Sequence, residues 1–387
     1  MPEQFLHGVE VVQIDNGARP IETVRSSVIG LIGTAPNADV AAFPVNTPVL
    51  IAGSMLEAAK LGDEGTLPQA IDGIFDQVGA MVVVVRVEAG VDNDATKSSI
   101  IGGVDAATGQ YTGVKAFLGA ESTVHVQPKI LIAPGFTNDA AVVSEMLGIA
   151  DRLRAVVIVD GPNTTDSAAM TFREGLGSKR VYMVDPWVKV WDTTTSAETP
   201  QPASARVAGM IARQDNERGF WWSPSNTEMY GITGTARPVD FSLGDPNCRA
   251  NLLNENEVAT IIRKDGYRLW GNRTCSADPK WAFLNVVRTV DMVNESLLRA
   301  HMWAVDRNIT KTYVEDVIEG VNAYLRHLKA VGAILGGKCW ADKELNGKDQ
   351  IEAGKVFFDF DLTPPTPAEH IVFRSHLVND YIETILN

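Results

Sequence analysis

Cysteine is scarce in this chain: Cys248, Cys275 and Cys339 are the only three in 387 residues, far apart and without a Cys-x-x-Cys. That excludes a disulfide framework and a zinc knuckle, and it suits folding in a reducing cytoplasm. Histidine is also sparse, and His7, His125, His301, His327, His370 and His376 lack the spacing of a metal site. No apolar run approaches the roughly eighteen residues of a membrane span. Met1-Pro2-Glu3-Gln4-Phe5 has neither the basic start nor the apolar core of a secretory signal. Basic residues are outnumbered: 34 Lys and Arg against 48 Asp and Glu leave a net charge of −14. A nucleic-acid binder presents a cationic surface, so direct contact with phosphate backbones is not expected. Catalytic signatures are missing too, with no Gly-x-Ser-x-Gly elbow and no His-Glu-x-x-His.

What is present is an ordinary globular composition, 45% hydrophobic and 21% charged, at a length that predicts two or three domains. Between residues 25 and 250, short apolar runs alternate with helical patterns. Val28 to Gly33, Val49 to Ala52, Met81 to Val87, Lys129 to Ala133, Ala155 to Val159 and Arg180 to Val184 read as strands. Their near-continuous apolar character implies a sheet covered on both faces, hence a doubly wound α/β layer. Helix starts are written between them: Ser54-Met55-Leu56-Glu57 is a capping box, Pro68 suits a first turn, and Asn138 precedes a run to Arg154. A further crossover helix is expected from Ala203 to Arg218. Residues 88 to 126, rich in Gly, Ser, Thr and Asp, read as a surface excursion of short strands and loops, and 192 to 202 as a loop or protrusion.

The last third changes character. Asp278 to Arg307 predicts one long helix with Asp278 as N-cap and Pro279 in its first turn. Thr312-Tyr313-Val314-Glu315 reads as another capping box, opening a helix that Gly336-Gly337 stops. Lys355 to Leu362 alternates, with Phe358, Phe360 and Leu362 on one face and Asp359 and Asp361 on the other, as a half-buried strand does. Both ends are apolar beyond a polar connector: Val9, Val11, Val12 and Ile14 before Asp15 to Ser27, and Ile371, Val372, Phe373 and Leu377 after the stiff Pro364-Pro365-Thr366-Pro367. Unpaired edges and apolar faces are seldom left in water, so each end either folds back on its own domain or joins a sheet elsewhere.

One apparent nucleotide motif, Gly332 to Cys339, nearly spells a phosphate loop. It has Cys339 where Ser or Thr must hold magnesium, and it ends a helix instead of beginning one, so no cofactor is implied. Trp187, Trp191, Trp221 and Trp222 with Phe220 read as core or intersubunit packing, without the polar pattern of a sugar platform. From 262 to 288, Arg263, Lys264, Arg268, Arg273, Lys280 and Arg288 stand against only Asp265 and Asp278. Arg326 and Lys329 lie in the C-terminal half of the second long helix, where basic residues suit the helix dipole.

Trp270-Gly271-Asn272-Arg273-Thr274, together with Pro364-Pro365-Thr366-Pro367-Ala368-Glu369-His370-Ile371, resembles the hallmark of contractile tail sheath proteins of myophages and R-type pyocins. The resemblance covers residues 250 to 387 well, the region before that loosely, and 88 to 126 hardly at all. It implies a structural polymer subunit, not an enzyme. It implies an N-terminal arm over 1–24, an outer subtilisin-like α/β domain over 25–250, an inner domain over 251–363 with two long helices and a small sheet, and a C-terminal arm over 364–387. Terminal strands carrying Val9, Val11, Ile14, Ile371, Phe373 and Leu377 would be exchanged between neighbours and complete that sheet. Trp270, Gly271, Asn272, Arg273, Thr274, Pro367 and Glu369 carry the family motif, and Arg326 and Lys329 are candidates to face an inner tube. The implied partners are further copies of the chain in a helical sheath, a tail tube protein, and baseplate and tail terminator proteins, with no membrane insertion. The implied location is a virion or tailocin particle assembled in the host cytoplasm. A subtilisin-like layer raises the question of a protease, with Asp160 and Asp185 at strand ends as imaginable triad members. No Gly-Thr-Ser nucleophile motif accompanies them, and both read more simply as caps of the turns that follow. A catalytic α/β enzyme, hydrolytic or nucleotide-binding, and a static shell or tube protein are the alternatives.

Overall fold

A computed structural model describes residues 20–379. The strands, in chain order, are β1 (Ile29–Thr34), β2 (Pro48–Ala52), β3 (Met81–Val87), β4 (Ile130–Ile132), β5 (Val156–Asp160), β6 (Val181–Val184), β7 (Val188–Asp192), β8 (Ala197–Gln201), β9 (Gly234–Thr235), β10 (Val258–Arg263), β11 (Tyr267–Trp270), β12 (Gly336–Ala341) and β13 (Phe358–Thr363). The α-helices are α1 (Met55–Ala58), α2 (Thr66–Phe75), α3 (Asn93–Ile101), α4 (Ala120–Val124), α5 (Ala140–Leu153), α6 (Asp166–Glu174), α7 (Ser204–Glu217), α8 (Arg249–Glu255), α9 (Leu284–Ala300), α10 (Lys311–Ala330) and α11 (Lys348–Glu352).

Eight strands form one sheet in the order β11-β10-β6-β5-β4-β1-β3-β2, with β2 and β11 as antiparallel edges of an otherwise parallel sheet. Alternation along each strand feeds two cores. Ile29, Leu31, Val82, Val84, Ile130 and Ile158 pack with Ile71 and Ile74 of α2 and Val207 and Ile211 of α7. Their neighbours Ile32, Val83, Val85, Leu131 and Val157 pack with Val142, Val143 and Met146 of α5 on the opposite face. The six strands expected between residues 25 and 250 and the α7 crossover are present, within a residue or two of the expected limits, and the strand expected from Lys355 starts three residues later as β13.

Four local expectations are corrected. Residues 88–126 are not a surface excursion: α3, a 3-10 turn over Gly113–Gly119 and α4 bury Ile100, Val114, Phe117 and Ala120 completely against the sheet. The Gly, Ser and Thr content masked a short, irregular cover. Asp139, not Asn138, caps α5, its side chain accepting from the Ala141 N–H. The single helix from Asp278 to Arg307 is three pieces. Asp278 caps only the 3-10 turn Pro279–Trp281, α9 starts at Leu284, and a second 3-10 turn over Met302–Ala304 follows it. The break has a cause: Ala282 and Asn272 carbonyls accept from Thr274 and Leu284, so the motif strand pulls this backbone into a β-bridge between Arg273 and Phe283. Finally, α10 is capped by Thr310, whose hydroxyl accepts from Tyr313 N–H, two residues before the expected box, and it ends at Ala330 ahead of Gly332.

The 192–202 segment forms the β7–β8 hairpin, joined on its other side by β9. Although they follow residue 251, β10 and β11 are hydrogen-bonded into the large sheet, so the architecture changes beyond Thr274. After that point α9, α10 and the antiparallel β12–β13 pair enclose a separate core of Met292, Val293, Val321, Tyr324, Leu325, Leu328 and Cys339, with Phe358, Phe360 and Leu362 against it.

The two units meet along α9, where Leu284 and Val287 join the α2–α7 core and a row of charges runs beside them. Successive turns present Arg288, Asp291, Glu295 and Arg299, paired with Asp215 of α7, Arg180 ahead of β6, Lys129 and Arg154 near the starts of β4 and β5, and Glu121 of α4. Burial pushes the Lys129 ammonium down to about 8, opposed by Glu295. Burial pushes Glu295 the other way from its net direction, but Lys129, Arg299 and Arg154 together hold its carboxyl below the usual value.

Candidate functional site

The motif occupies the junction between the units. Trp270 closes β11 and packs edge-on against Phe241, ring centroids 4.9 Å apart. Gly271 adopts φ +131° beside the Ala259 backbone, its carbonyl accepting from Tyr182 Oη at 2.6 Å and its N–H donating to Ser225 Oγ at 3.0 Å. Thr274 is buried, its hydroxyl donating to the Trp281 carbonyl at 2.8 Å. Arg273 turns outward and grips Glu369 with both arms of its fork, Nε to Oε1 at 2.7 Å and Nη2 to Oε2 at 2.6 Å. That hydrogen bonding raises the already high pKa of the guanidinium. The two separated halves of the sequence motif are thus brought into one contact. Asn285, in the first turn of α9, adds a second tie by donating to the Pro365 carbonyl at 3.0 Å. Beyond the clamp, residues 370–379 form no helix or strand, and Ile371, Phe373 and Leu377 are 66%, 93% and 104% exposed.

The N-terminal connector is tied to the same unit. Thr23 Oγ1 meets Tyr324 Oη at 2.9 Å, Val24 N–H donates to Ser296 Oγ at 3.1 Å, and Ser26 Oγ donates to Asp215, itself held bidentate by Arg288. Ile21 and Val24 pack on the α9–α10 core. Val9, Val11 and Ile14 lie outside the described residues.

Edges decide where another strand can be added. The outer edge of β11 is already bonded to the segment 226–229, through Asn226, Thr227 and Met229. In the hairpin, the Lys189 carbonyl accepts from Thr233 on the β9 side, so its partner Pro200 turns its missing N–H outward on β8. A proline there blunts that edge. In the small sheet, Cys339 N–H and C=O are both taken by the Asn322 side chain from α10. Cys339 and its partner Phe360 therefore form a non-hydrogen-bonded pair, and by alternation Phe358, Phe360 and Leu362 direct their backbone groups away from β12. No third strand lies against them among the described residues.

The remaining candidates scatter. Arg326 and Lys329 are exposed on α10, Lys329 flanking the buried stripe of Val321, Leu325 and Leu328 and Arg326 farther round, and Arg326 pairs with Glu319 at 2.5 Å. Arg288 of the basic segment is buried in its pair with Asp215, while Arg268 donates to backbone carbonyls of Lys264 and Asn226. The aromatic residues are not one cluster: Phe220 and Trp221 join the α9–α10 core, Trp187 donates to the Gly161 carbonyl, and Trp191 and Trp222 are exposed. Asp185 does not cap the turn that follows it at Pro186: its carboxylate reaches back to accept from Asn163 N–H in the turn after β5, and it pairs with Arg237. Asp160 does not cap its own turn. It is fully buried and braces the start of α7, accepting from Ser204 N–H at 2.8 Å and Ser204 Oγ at 2.5 Å. Among the described residues no group of three or more His, Cys, Asp or Glu is placed to hold a metal, and no helix is long and apolar enough to cross a membrane. Asn285, Asn322 and Ser296 do not stand out in the sequence, and Tyr324 does so only as one of the apolar positions of its helix. The only signal of the first three is a polar residue on or beside an apolar helical stripe.

A mixed α/β layer, bonded at its β11 edge to the segment 226–229 and joined by an ionic seam to a small helical unit, defines a structural building block. Family models agree in order along the chain: "Tail sheath protein Gp18 domain III N-terminal region" at 26–87, "Phage tail sheath protein central domain" at 109–275 and "Phage tail sheath C-terminal domain" at 276–377. A protein of Pseudomonas aeruginosa (strain UCBPP-PA14) named as a prophage major tail sheath protein is 48% identical, over 99% of each chain. The tail sheath protein of Escherichia phage P2 is 38% identical, over 99% of this chain and 98% of its own. In fold, the chain is similar to the contracted helical sheath of the anti-feeding prophage, with TM-score 0.72 at 20% identity over 97% of this chain and 100% of that one. The chain belongs to the tail sheath protein family. It is a structural subunit of a contractile sheath.

Proposed function

We propose that copies of this chain polymerise helically around an inner tube by lending terminal strands to one another, and that the sheath shortens to drive the tube through a bacterial envelope. The observation that carries this reading is the pairing of supply and demand. An apolar, exposed tail with Ile371, Phe373 and Leu377 exists on the same molecule as an open strand edge, that of β13. Strand addition supplies backbone hydrogen bonds along an edge and burial for alternate side chains. Val9, Val11 and Ile14 supply the same pattern at the other end. Head-to-tail lending that does not close on itself generates an open helix.

In this reading the large sheet is the outer, doubly wound, subtilisin-like layer, and the unit after Thr274 is the inner mesh. Arg326 and Lys329 face the tube, with register set by charge complementarity. Baseplate and tail terminator proteins meet the two ends of the polymer, in a particle assembled in the host cytoplasm. Contraction is a rigid-body rearrangement of subunits. Because Pro365 and Glu369 are tied to the body of the subunit, the bending at this end falls after Glu369. Deleting residues 1–15, or everything after Thr363, is expected to leave a folded chain that scatters no light as polymer at concentrations where the whole chain does. Normal sheaths from either truncation, seen by electron microscopy, overturn the exchange.

A further inference from the structure

The tail has a closer acceptor than any neighbour: its own β13. A tight turn after Thr363 would place Asp361 opposite His370, Phe360 opposite Ile371 and Phe358 opposite Phe373. Ile371 and Phe373 would then extend the apolar face that Phe360 and Phe358 already lay on the α9–α10 core. Apolar pairing of this kind is what stabilises a hairpin, and the loop to be closed is short, so its entropic cost is small. Yet residues 364–379 form no strand, and the tail's apolar side chains stand in solvent.

Two features of the chain keep the tail from its own edge. Pro364, Pro365 and Pro367 lack N–H groups and fix φ, so the segment after β13 stays extended where a hairpin needs a turn. Glu369, which the hairpin would set beside Leu362, is instead clamped by Arg273 next to the Ala259 and Gly271 backbone, and Asn285 holds Pro365 on the way. We infer that the Arg273–Glu369 clamp and the proline spacer together act against self-pairing, keeping β13 vacant and directing the tail to another copy of this chain. The inference rests on the proposed strand lending and adds what forces it to be intermolecular. Arg273 and Glu369 are then positioning residues, and the sequence motif is the two halves of one clamp.

The test uses the full chain with Asp361→Cys and His370→Cys, a pair that meets across the self-paired hairpin at disulfide distance. It is made in two backgrounds. One is otherwise native. The other is released by Glu369→Gln, Pro364→Val, Pro365→Asn, Thr366→Gly and Pro367→Thr, which writes an Asn-Gly turn in the same register. The released chain is expected to form the intrachain disulfide in most molecules, read by mobility without reductant, and to lose at least tenfold in polymer yield. The native background is expected to form little of it. A released chain that polymerises like the native one, or a native background that cross-links as readily as the released one, overturns the inference. The chain ending at Thr363 separates the two ideas. If it still polymerises, strand lending by the tail is wrong. If it does not, while the released chain assembles normally, only the clamp is wrong.

Discussion

Gly271 shows how much one position in the motif must satisfy. Its φ of +131° is foreign to L side chains, and a Cβ there would lie 2.8 Å from Ala259 Cα in the middle of β10's start. The neighbour is backbone hydrogen-bonded into the large sheet and has no rotamer to change. Gly271→Ala is therefore expected to destabilise the chain by about 2–4 kcal/mol, combining strain and overpacking, as read by denaturant unfolding. A change below about 0.5 kcal/mol would contradict the close approach. Asp160 offers a different test. Complete burial pushes its carboxyl up to about 6, against hydrogen bonds from Ser204 and Thr137 that pull it down. A folded value above the ordinary one means the native state keeps a proton that the unfolded chain releases. Its stabilising contribution is full only below the unfolded carboxyl's value of 3.8, and is lost as pH rises from there through 6, on the order of 3 kcal/mol for a shift of about two units. Asn at 160 retains the hydrogen-bonding shape without a charge. The stability of the native chain minus that of Asp160→Asn is expected to fall between pH 4 and 7, and a flat difference refutes a buried titrating carboxyl.

At the scale of elements, α10 distinguishes what sequence pattern reveals from what packing decides. The apolar spacing of Val317, Val321, Tyr324, Leu325 and Leu328 was legible because a helix with one buried stripe must repeat in this way. Its start was not. Thr312 with Glu315 spells a capping box, but it is Thr310 that has extended backbone and accepts from the Tyr313 N–H. Thr310→Ala is expected to cost about 1 kcal/mol in thermal or denaturant unfolding, and Thr312→Ala only a few tenths; equal effects would argue for the later start. The strands of the large sheet were legible for the reason α10 was, since Val82 to Val85 are apolar on both faces and nothing but a sandwiched strand uses such a run. The cover over residues 88–126 was hidden because its short turns bury Val114 and Phe117 without any helical period. The break before α9 was hidden because its cause, the bridge from Arg273 to Phe283, joins residues ten positions apart that local propensity treats separately. As for the site, the motif residues stood out, but the clamp did not. The contact between Arg273 and Glu369 spans 96 residues, and only folding brings its halves together.

For the whole molecule, function depends on which edges remain free. At its β11 end the large sheet abuts the segment 226–229, β8 carries Pro200 outward, and β12 is held at Cys339 by Asn322. Each of these withholds the row of donors and acceptors that another strand would read. On β13 the outward groups belong to Phe358, Phe360 and Leu362, whereas those of Asp359 and Asp361 face β12. This alternation allows the edge to be blunted without cutting the sheet. Leu362→Pro removes an outward N–H, leaving the β12 ladder whole, and proline is tolerated at such positions of edge strands. It also removes part of a side chain that packs on the α9–α10 core, an effect that Leu362→Ala reproduces while keeping the N–H. If copies join through β13, the two variants should unfold at similar denaturant concentrations. The alanine chain should still assemble, shifted to higher protein concentration by the lost packing, while the proline chain should remain monomeric at tenfold that concentration in sedimentation velocity. Assembly by both would place the joint on some other surface, and failure of both with intact folding would make side-chain burial, not the backbone edge, the element that holds neighbours together.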